Sequence, residues 1–262
     1  MHIRHGNGYG KNGPPHGAFQ KYAIVPQIAV AELPLGISVE RGVVLPLAIS
    51  TASAGLYQKG FLGLSLPSST DLFKPLERTV LVWGGSSSVG SCVIQLAVQS
   101  GAEVFTTASR NNFDYCSQLG ATKVFDYHDS DVEDQIVDAL KDKTVIGAYH
   151  AVGGDGAVQS CAKIMDRAHG KAIVVTTHGV PDNGIPGSVR VKSISSSSIF
   201  SDGNEIGPYI WRKFLPQALA QGSIVAKPDP LIVGEELRSI QHGLDRQKAG
   251  VSAVKVVVTK IS

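Results

Sequence analysis

The chain has 262 residues, 43% hydrophobic and 18% charged, with a formal net charge of +2 at pH 7. This length and composition predict one large domain or two modest ones with a hydrophobic core. So small a charge, without a cluster of Lys and Arg, argues against nucleic acid or an acidic membrane surface as a partner.

The cysteines indicate the redox environment. Three are present, widely spaced along the chain (Cys92, Cys116, Cys161), which fits reduced thiols better than a disulfide framework. No pair is spaced as CxxC and no histidine lies in HExxH, so no metal site is predicted. No apolar leader and no apolar run of membrane length is present, so we expect a cytoplasmic protein that does not enter a membrane.

The beginning of the chain has the composition of a loop. Residues 1–17 are polar and Gly-rich, and the histidines there are expected to be solvated (His2, His5, His16). AFQKYAIVP and QIAVAELP are short β-like runs broken by prolines. They predict a small sheet packed on another part of the protein, or the remnant of a larger β domain.

A buried helix is predicted after Pro46, where the apolar stretch 43–60 becomes Ala-rich. The segment SLPSSTDLFKPLER then indicates a loop before the next strand.

The central feature is a strand joined to a helix by a glycine-rich turn. Thr79–Trp83 is a short apolar run typical of a strand buried on both faces, and apolar residues recur at helical spacing from Val89 until Gly101. Between them, GGSSSVG places backbone N–H groups and a helix N-terminus where a dinucleotide pyrophosphate binds. As a GxGxxG motif it has Ser87 at the middle glycine, so a purely structural turn is about equally consistent with it.

From Thr79 onward strands and helices alternate, which predicts a doubly wound α/β fold with a parallel sheet. The strands are expected near Thr79–Trp83, Glu103–Thr107, Lys123–Phe125, Ile146–Ala151, Lys171–Thr176 and Val189–Ser193. Ser130 with Glu133 predicts a capping box for one helix. Beyond residue 204 we expect a helix over 207–221 that is kinked at Pro216, followed by a strand at PDPLIV. Leu237, Ile240 and Leu244 then mark a second helix. The chain is expected to end in a strand, SAVKVVVTKI, that returns to the N-terminal β segment.

The end of the second strand bears on the choice of cofactor. About twenty residues after the turn, NAD-binding units usually carry an acid, whereas this chain has Thr107, Ser109, Arg110, Asn111 and Asn112. Hydroxyls, amides and an arginine would hold a 2′-phosphate, so NADPH is favoured over NADH; a solvated turn with a helix cap is the alternative.

These residues resemble the medium-chain dehydrogenase/reductase superfamily and, within it, the zinc-free fungal trans-enoyl reductases that work beside polyketide synthases. The resemblance rests on GAFQKYAIVP, VLPLAISTASAGLYQ, VLVWGGSSSVGSCVIQLA, TTASRNNFDYCSQLGATKVFDYHD and GVSAVKVVVTKI, which span nearly the whole chain. It implies a Rossmann NADP-binding domain (46–206), a partial GroES-like β domain at the N-terminus (1–45) and a return segment (207–262) that packs on it.

The resemblance also implies site residues. Cofactor contacts fall on the turn (Ser86, Ser87, Ser88, Val89), the 2′-phosphate side (Ser109, Arg110, Asn112), the adenosine side (Tyr127), the nicotinamide side (Val152, Gly153) and the return segment (Val251, Ser252). Substrate contacts fall within 51–57, with Thr51, Leu56 and Tyr57 in that stretch. The chain departs from the pattern at His150, where relatives usually have Asp and a packed histidine is expected, and it lacks strands that similar proteins carry before GAFQKY.

The expected activity is NADPH-dependent reduction of an activated carbon–carbon double bond in a small enoyl thioester or enone, with a polyketide synthase as an implied partner. Tyr57 or Thr51 could hydrogen-bond the substrate carbonyl, and His178 is either a proton source or an ordinary loop histidine. Quinone oxidoreductase activity, and a shortened chain that binds NADPH without turnover, are the alternatives. For the shortened chain we expect NADPH binding to be retained and turnover to be weak.

Overall fold

The structure is a computed structural model that describes the backbone of residues 2–4 and residues 17–68, 77–154 and 156–261. Its centre is a six-stranded parallel sheet formed by β3 (Arg78–Trp83), β4 (Glu103–Ala108), β5 (Lys123–Asp126), β6 (Thr144–His150), β7 (Ile173–Thr176) and β8 (Arg190–Ser193). The strands lie in the order β5-β4-β3-β6-β7-β8. The order reverses beside β3, which is the topology of a Rossmann-type fold and confirms the predicted fold class.

Helices cover both faces of this sheet. One apolar cluster joins the sheet to α2 (Pro46–Tyr57), α3 (Ser88–Gln99) and α8 (Leu215–Gln221). A second cluster joins the other face to α5 (Val132–Leu140) and α6 (Ala157–Arg167). Burial on both faces explains why β3 is a continuous apolar run, and Gly101 at φ +86° ends α3 as the pattern predicts.

The two chain ends form small separate sheets. β1 (His2–Arg4) pairs antiparallel with β2 (Val30–Glu32), and β9 (Asp229–Glu235) pairs parallel with β10 (Val254–Thr259). Helix α9 (Ile240–Lys248) connects β9 to β10, while α1 (Val39–Gly42) contacts β9. The guanidinium of Arg41 lies 3.3 Å from the Asp229 carboxylate, so the tail contacts α1, but the terminal strand β10 pairs with β9 and not with the N-terminal strand β2.

Several local predictions are wrong. The strand at residues 2–4 replaces part of the predicted N-terminal loop, and AFQKYAIVP forms bends and coil instead of a strand. His5 and His16, and residues 69–76 of the predicted loop before β3, lie outside the described residues.

The capping box is also wrong: α5 begins after Asp131, and no side chain caps it. The predicted helix over 207–221 consists of α7 (Ile206–Pro208), a π-helical stretch (Tyr209–Phe214) and α8. Because Pro216 lies in the first turn of α8, where no N–H is needed, a new helical segment starts where a kink was predicted. The short helix α4 (Phe113–Gln118) completes the set of described α-helices.

Candidate functional site

The glycine turn lies at the carboxyl end of β3 and is fixed by β4. The N–H of Gly84 donates to the Thr107 hydroxyl at 3.0 Å, and the N–H of Gly85 donates to the Thr107 carbonyl at 2.9 Å. Gly84 has φ +88°, a conformation that favours glycine. A Cβ at Gly90 would lie 2.1 Å from the Gly84 carbonyl oxygen, so α3 starts directly against the turn.

Ser87 caps the N-terminus of helix α3. Its hydroxyl accepts from the Gly90 N–H at 3.0 Å, which makes it the N-cap of α3, and it donates to the Ala151 carbonyl at 3.0 Å. Since its single proton is used, the Ser87 hydroxyl has none left for a phosphate. The resemblance implies Ser87 as a cofactor contact, but its hydroxyl cannot donate to a cofactor while the bond to Ala151 is made.

The neighbouring serines are different. The Ser86 hydroxyl accepts from the Asn112 amide at 3.3 Å, and the Ser88 hydroxyl accepts from the Lys255 ammonium at 3.2 Å. Both accept in these bonds, so their own protons remain able to donate to an anion. Lys255 is a site residue that the sequence analysis missed, although the GVSAVK segment contains it.

The Asn112 side chain joins three segments. Its Nδ2 lies 3.3 Å from Ser86 Oγ, 3.1 Å from Ser109 Oγ and 3.0 Å from Ser252 Oγ. The glycine turn, the end of β4 and the return segment therefore meet at one amide. The resemblance implied all four residues as cofactor contacts, and the structure brings them together.

Arg110 is already paired. Its Nε lies 3.0 Å from Asp126 Oδ2, and its Nη2 lies 3.2 Å from Asp129 Oδ1. Hydrogen bonds from His128, first its backbone N–H, lower the pKa of Asp126, and the bonds to both carboxylates raise the pKa of Arg110. Asp126 and Asp129 were not foreseen as partners. A 2′-phosphate would compete with them for the guanidinium, which weakens one basis for expecting NADPH.

At the carboxyl end of β6, two residues lie where the nicotinamide side is expected. Val152 packs against the turn, because a Cβ at Gly84 would lie 2.5 Å from its Cγ1. Gly153 lies under the exposed His178, whose Nε2 would be 3.2 Å from a Cβ placed there. This position leaves both interpretations of His178 open.

His150 is a packed histidine, as expected. It is 1% exposed, its Nδ1 lies 3.0 Å from the Thr176 hydroxyl, and within the described part of the chain its Nε2 has no hydrogen-bond partner. Burial, with a smaller contribution from His178, lowers its pKa to about 4. The imidazole is therefore neutral at pH 7.

The structure argues against Tyr57 and Leu56 as substrate contacts. The Tyr57 hydroxyl lies 3.2 Å from the Leu96 carbonyl and 3.1 Å from the Ser100 hydroxyl. Ser100 follows the last turn of α3, about 18 Å from the helix start at 1.5 Å per residue. Leu56 is fully buried in the core, and burial raises the pKa of Tyr57 strongly. Thr51 is 8% exposed and donates to the Leu47 carbonyl at 2.7 Å, so its proton is also used.

Three other residues that the resemblance implies as cofactor contacts, Tyr127, Val89 and Val251, lie outside the Asn112 cluster. Tyr127 is 45% exposed with its ring 4.1 Å from that of His128, Val89 packs on the core, and Val251 is half-buried. Over residues 17–68, 77–154 and 156–261, no group of three or more His, Cys, Asp or Glu side chains could hold a metal ion. None of the described helices has the length and hydropathy needed to cross a membrane.

These residues fit a dinucleotide. Three features form an anion-binding arrangement at the edge of the parallel sheet. Gly90 has no Cβ, so the twelve-residue helix α3 starts directly against the turn. The hydroxyls of Ser86 and Ser88 each keep a proton that can be donated to an anion. Together with the strand order, this defines a Rossmann-type nucleotide-binding site.

Comparison with known proteins extends this result. Residues 88–215 match the family described as zinc-binding dehydrogenase. The dehydrogenase pigH of Monascus ruber is 41% identical over 95% of this chain and 73% of its own length. The trans-enoyl reductase himH of Aspergillus japonicus is 38% identical over 93% of this chain and 69% of its own length.

Solved structures share the fold at lower identity. A quinone oxidoreductase of Pseudomonas syringae pv. Tomato DC3000 superposes with a TM-score of 0.67 at 22% identity, covering 92% of this chain and 71% of its own. The CurK enoyl reductase gives 0.65 at 20% identity, covering 88% of this chain and 66% of its own. The chain belongs to the medium-chain dehydrogenase/reductase superfamily, in the family of these fungal dehydrogenases and trans-enoyl reductases, and is an oxidoreductase of a class that uses nicotinamide cofactors.

Proposed function

We propose that this protein uses NADPH to reduce an activated carbon–carbon double bond in an enoyl thioester or enone, without zinc. The observation that carries the proposal is the Asn112 cluster, in which an amide and three serine hydroxyls meet beside the glycine turn. The choice of reaction is supported by relatives named as trans-enoyl reductases, including himH and tazE of Aspergillus terreus.

The residues of this chain have distinct roles in the proposal. Ser86 and Ser88 donate to the pyrophosphate, and Ser109, Arg110 and Asn112 bind the 2′-phosphate. Tyr127 lies at the adenosine, Val251 and Ser252 close the site from the return segment, and Val152 with Gly153 lies at the nicotinamide. The nicotinamide, when bound, supplies the hydride. The division into residues 1–45, 46–206 and 207–262, and a polyketide synthase as partner, belong to the same proposal.

The reaction is tested by following NADPH oxidation with a short enoyl thioester such as crotonyl thioester. We expect turnover that persists after dialysis against a chelator and requires the conjugated double bond, so the saturated thioester gives none. Turnover of a benzoquinone but not of the enoyl thioester would favour the quinone oxidoreductase alternative. NADPH binding without turnover of either substrate would favour the non-catalytic alternative.

The cofactor preference is tested by fluorescence titration with NADPH and NADH. We expect NADPH to bind about tenfold tighter, and Arg110→Ala to remove most of this difference, because the guanidinium makes a charge-assisted bond to the 2′-phosphate in competition with Asp126 and Asp129.

The matched control is Arg167→Ala, which removes an exposed arginine of α6 that is paired with Asp134 of α5 at 2.7 Å. This substitution should change neither the NADPH affinity nor the NADH affinity. Equal affinity of the parent protein for NADPH and NADH would contradict the preference while leaving the reductase activity open.

A further inference from the structure

Lys255 is a cation at the phosphate-binding end of α3. It lies in β10, is half-buried, and its Nζ donates to the hydroxyl of Ser88, the first residue of α3. The return segment thus places a positive charge beside a helix N-terminus, which itself attracts anions. Two positively charged features therefore meet at one hydroxyl, that of Ser88.

No carboxylate forms an ion pair with Lys255 among residues 17–68, 77–154 and 156–261. Two other lysines of the same tail are paired, Lys227 with Asp229 at 2.6 Å and Lys260 with Glu235 at 2.5 Å. Burial lowers the pKa of Lys255, in part offset by the nearby Cys92. Partial burial of an ammonium without an ion-pair partner is unfavourable. The position of Lys255 therefore points to an anion that binds its ammonium for part of the time.

We propose that Lys255 binds the pyrophosphate of the dinucleotide through a charge-assisted hydrogen bond, while also holding Ser88 Oγ so that the Ser88 proton points toward the same anion. The proposal rests on the proposed function, because it assigns a residue to the cofactor site. It separates two tasks: Lys255 acts on any dinucleotide, whereas Arg110 acts only on one with a 2′-phosphate.

The test uses two fragments of the cofactor as probes, ADP, which carries the pyrophosphate, and adenosine 2′-monophosphate, which carries only the 2′-phosphate. By calorimetric titration, Lys255→Met should weaken ADP binding about tenfold to a hundredfold and change 2′-monophosphate binding less than twofold. Arg110→Ala should have the reverse pattern. Lys255→Arg, which keeps the charge, should retain ADP affinity within about threefold.

The matched control is Lys260→Met, which makes the same substitution one residue beyond β10 and should affect neither probe. A second readout is the melting temperature without ligand: Lys255→Met should melt at or above the parent temperature, because it removes a half-buried unpaired charge. A purely structural lysine would lower it. Should the Met variant fail to fold, Lys255→Gln, which keeps a donor to Ser88, replaces it with the same expected loss of ADP affinity.

Two results would overturn the inference: Lys255→Met and Lys260→Met weakening ADP binding equally, or Lys255→Met weakening both probes equally. Neither would affect the proposed reaction. Conversely, a parent protein that binds ADP through Lys255 but does not reduce enoyl thioesters would overturn the reaction and leave the inference standing.

Discussion

Lowering the pH from 7 to below 4 is expected to cost about 3 kcal/mol of folding free energy through His150 alone. The imidazole is 1% exposed, and burial lowers its pKa from 6.5 to about 4. Between pH 6.5 and about pH 4, His150 binds a proton in the unfolded chain but not in the folded chain. Stability from this group is therefore complete above pH 6.5, falls as the pH decreases toward 4, and changes no further below that.

The measurement is urea unfolding of the parent and of His150→Gln at pH 7, 5.5 and 4.5. Because carboxylates titrate in both proteins, the relevant quantity is the difference in their unfolding free energies, which should shift in favour of the variant as the pH falls. His242→Gln, an exposed histidine of α9, is the control and should follow the parent. A difference that is constant across the pH range would mean that burial does not lower the pKa of His150 in the folded protein.

Substituting Gly90 by Ala is expected to reduce dinucleotide affinity more than a hundredfold and to destabilise the fold by about 1 to 3 kcal/mol. The new Cβ would lie 2.1 Å from the Gly84 carbonyl oxygen and 2.9 Å from the Gly85 Cα, and both neighbours are backbone atoms that cannot rotate away. Helix α3 would have to move off the turn, which breaks the Ser87 cap and misplaces Ser88.

NADPH titration and thermal unfolding of Gly90→Ala check this prediction. Gly187→Ala is the control, because a Cβ at Gly187 meets no atom within 4 Å, and it should change stability by less than about 0.5 kcal/mol. Normal NADPH affinity in Gly90→Ala would show that the turn does not hold the cofactor.

The sheet was predictable from the sequence because strands buried on both faces are continuous apolar runs. β3 and β4 are found within one residue of their predicted bounds. The start of α5 was not predictable, since Ser130 and Asp131 are both good caps and tertiary packing decides between them. The bond from the Ser87 hydroxyl to the Ala151 carbonyl was not predictable either, because Ala151 lies 64 positions away along the chain.

The sequence predicts which residues form the site better than it predicts which of them contact one another. The absence of an acid after β4 is visible in the sequence, but the approach of Asp126 to Arg110 depends on the neighbouring strand β5. Lys255 was missed because its position beside Ser88, 167 residues away, follows only from the return of the tail. The contacts of Tyr57 with Leu96 and Ser100 were not predictable, because a helical residue seen only in sequence does not reveal which end of the neighbouring helix it contacts.

The meeting of Ser86, Ser109 and Ser252 at the Asn112 amide has a thermodynamic consequence. A ligand that binds across this cluster contacts both the central sheet and the tail, so its binding free energy includes the free energy of docking the tail. Linkage then requires reciprocity: an undocked tail reduces the affinity for the ligand by the same factor by which the bound ligand favours the docked tail. The central sheet and the C-terminal tail would thus be coupled to the nucleotide through a single side chain.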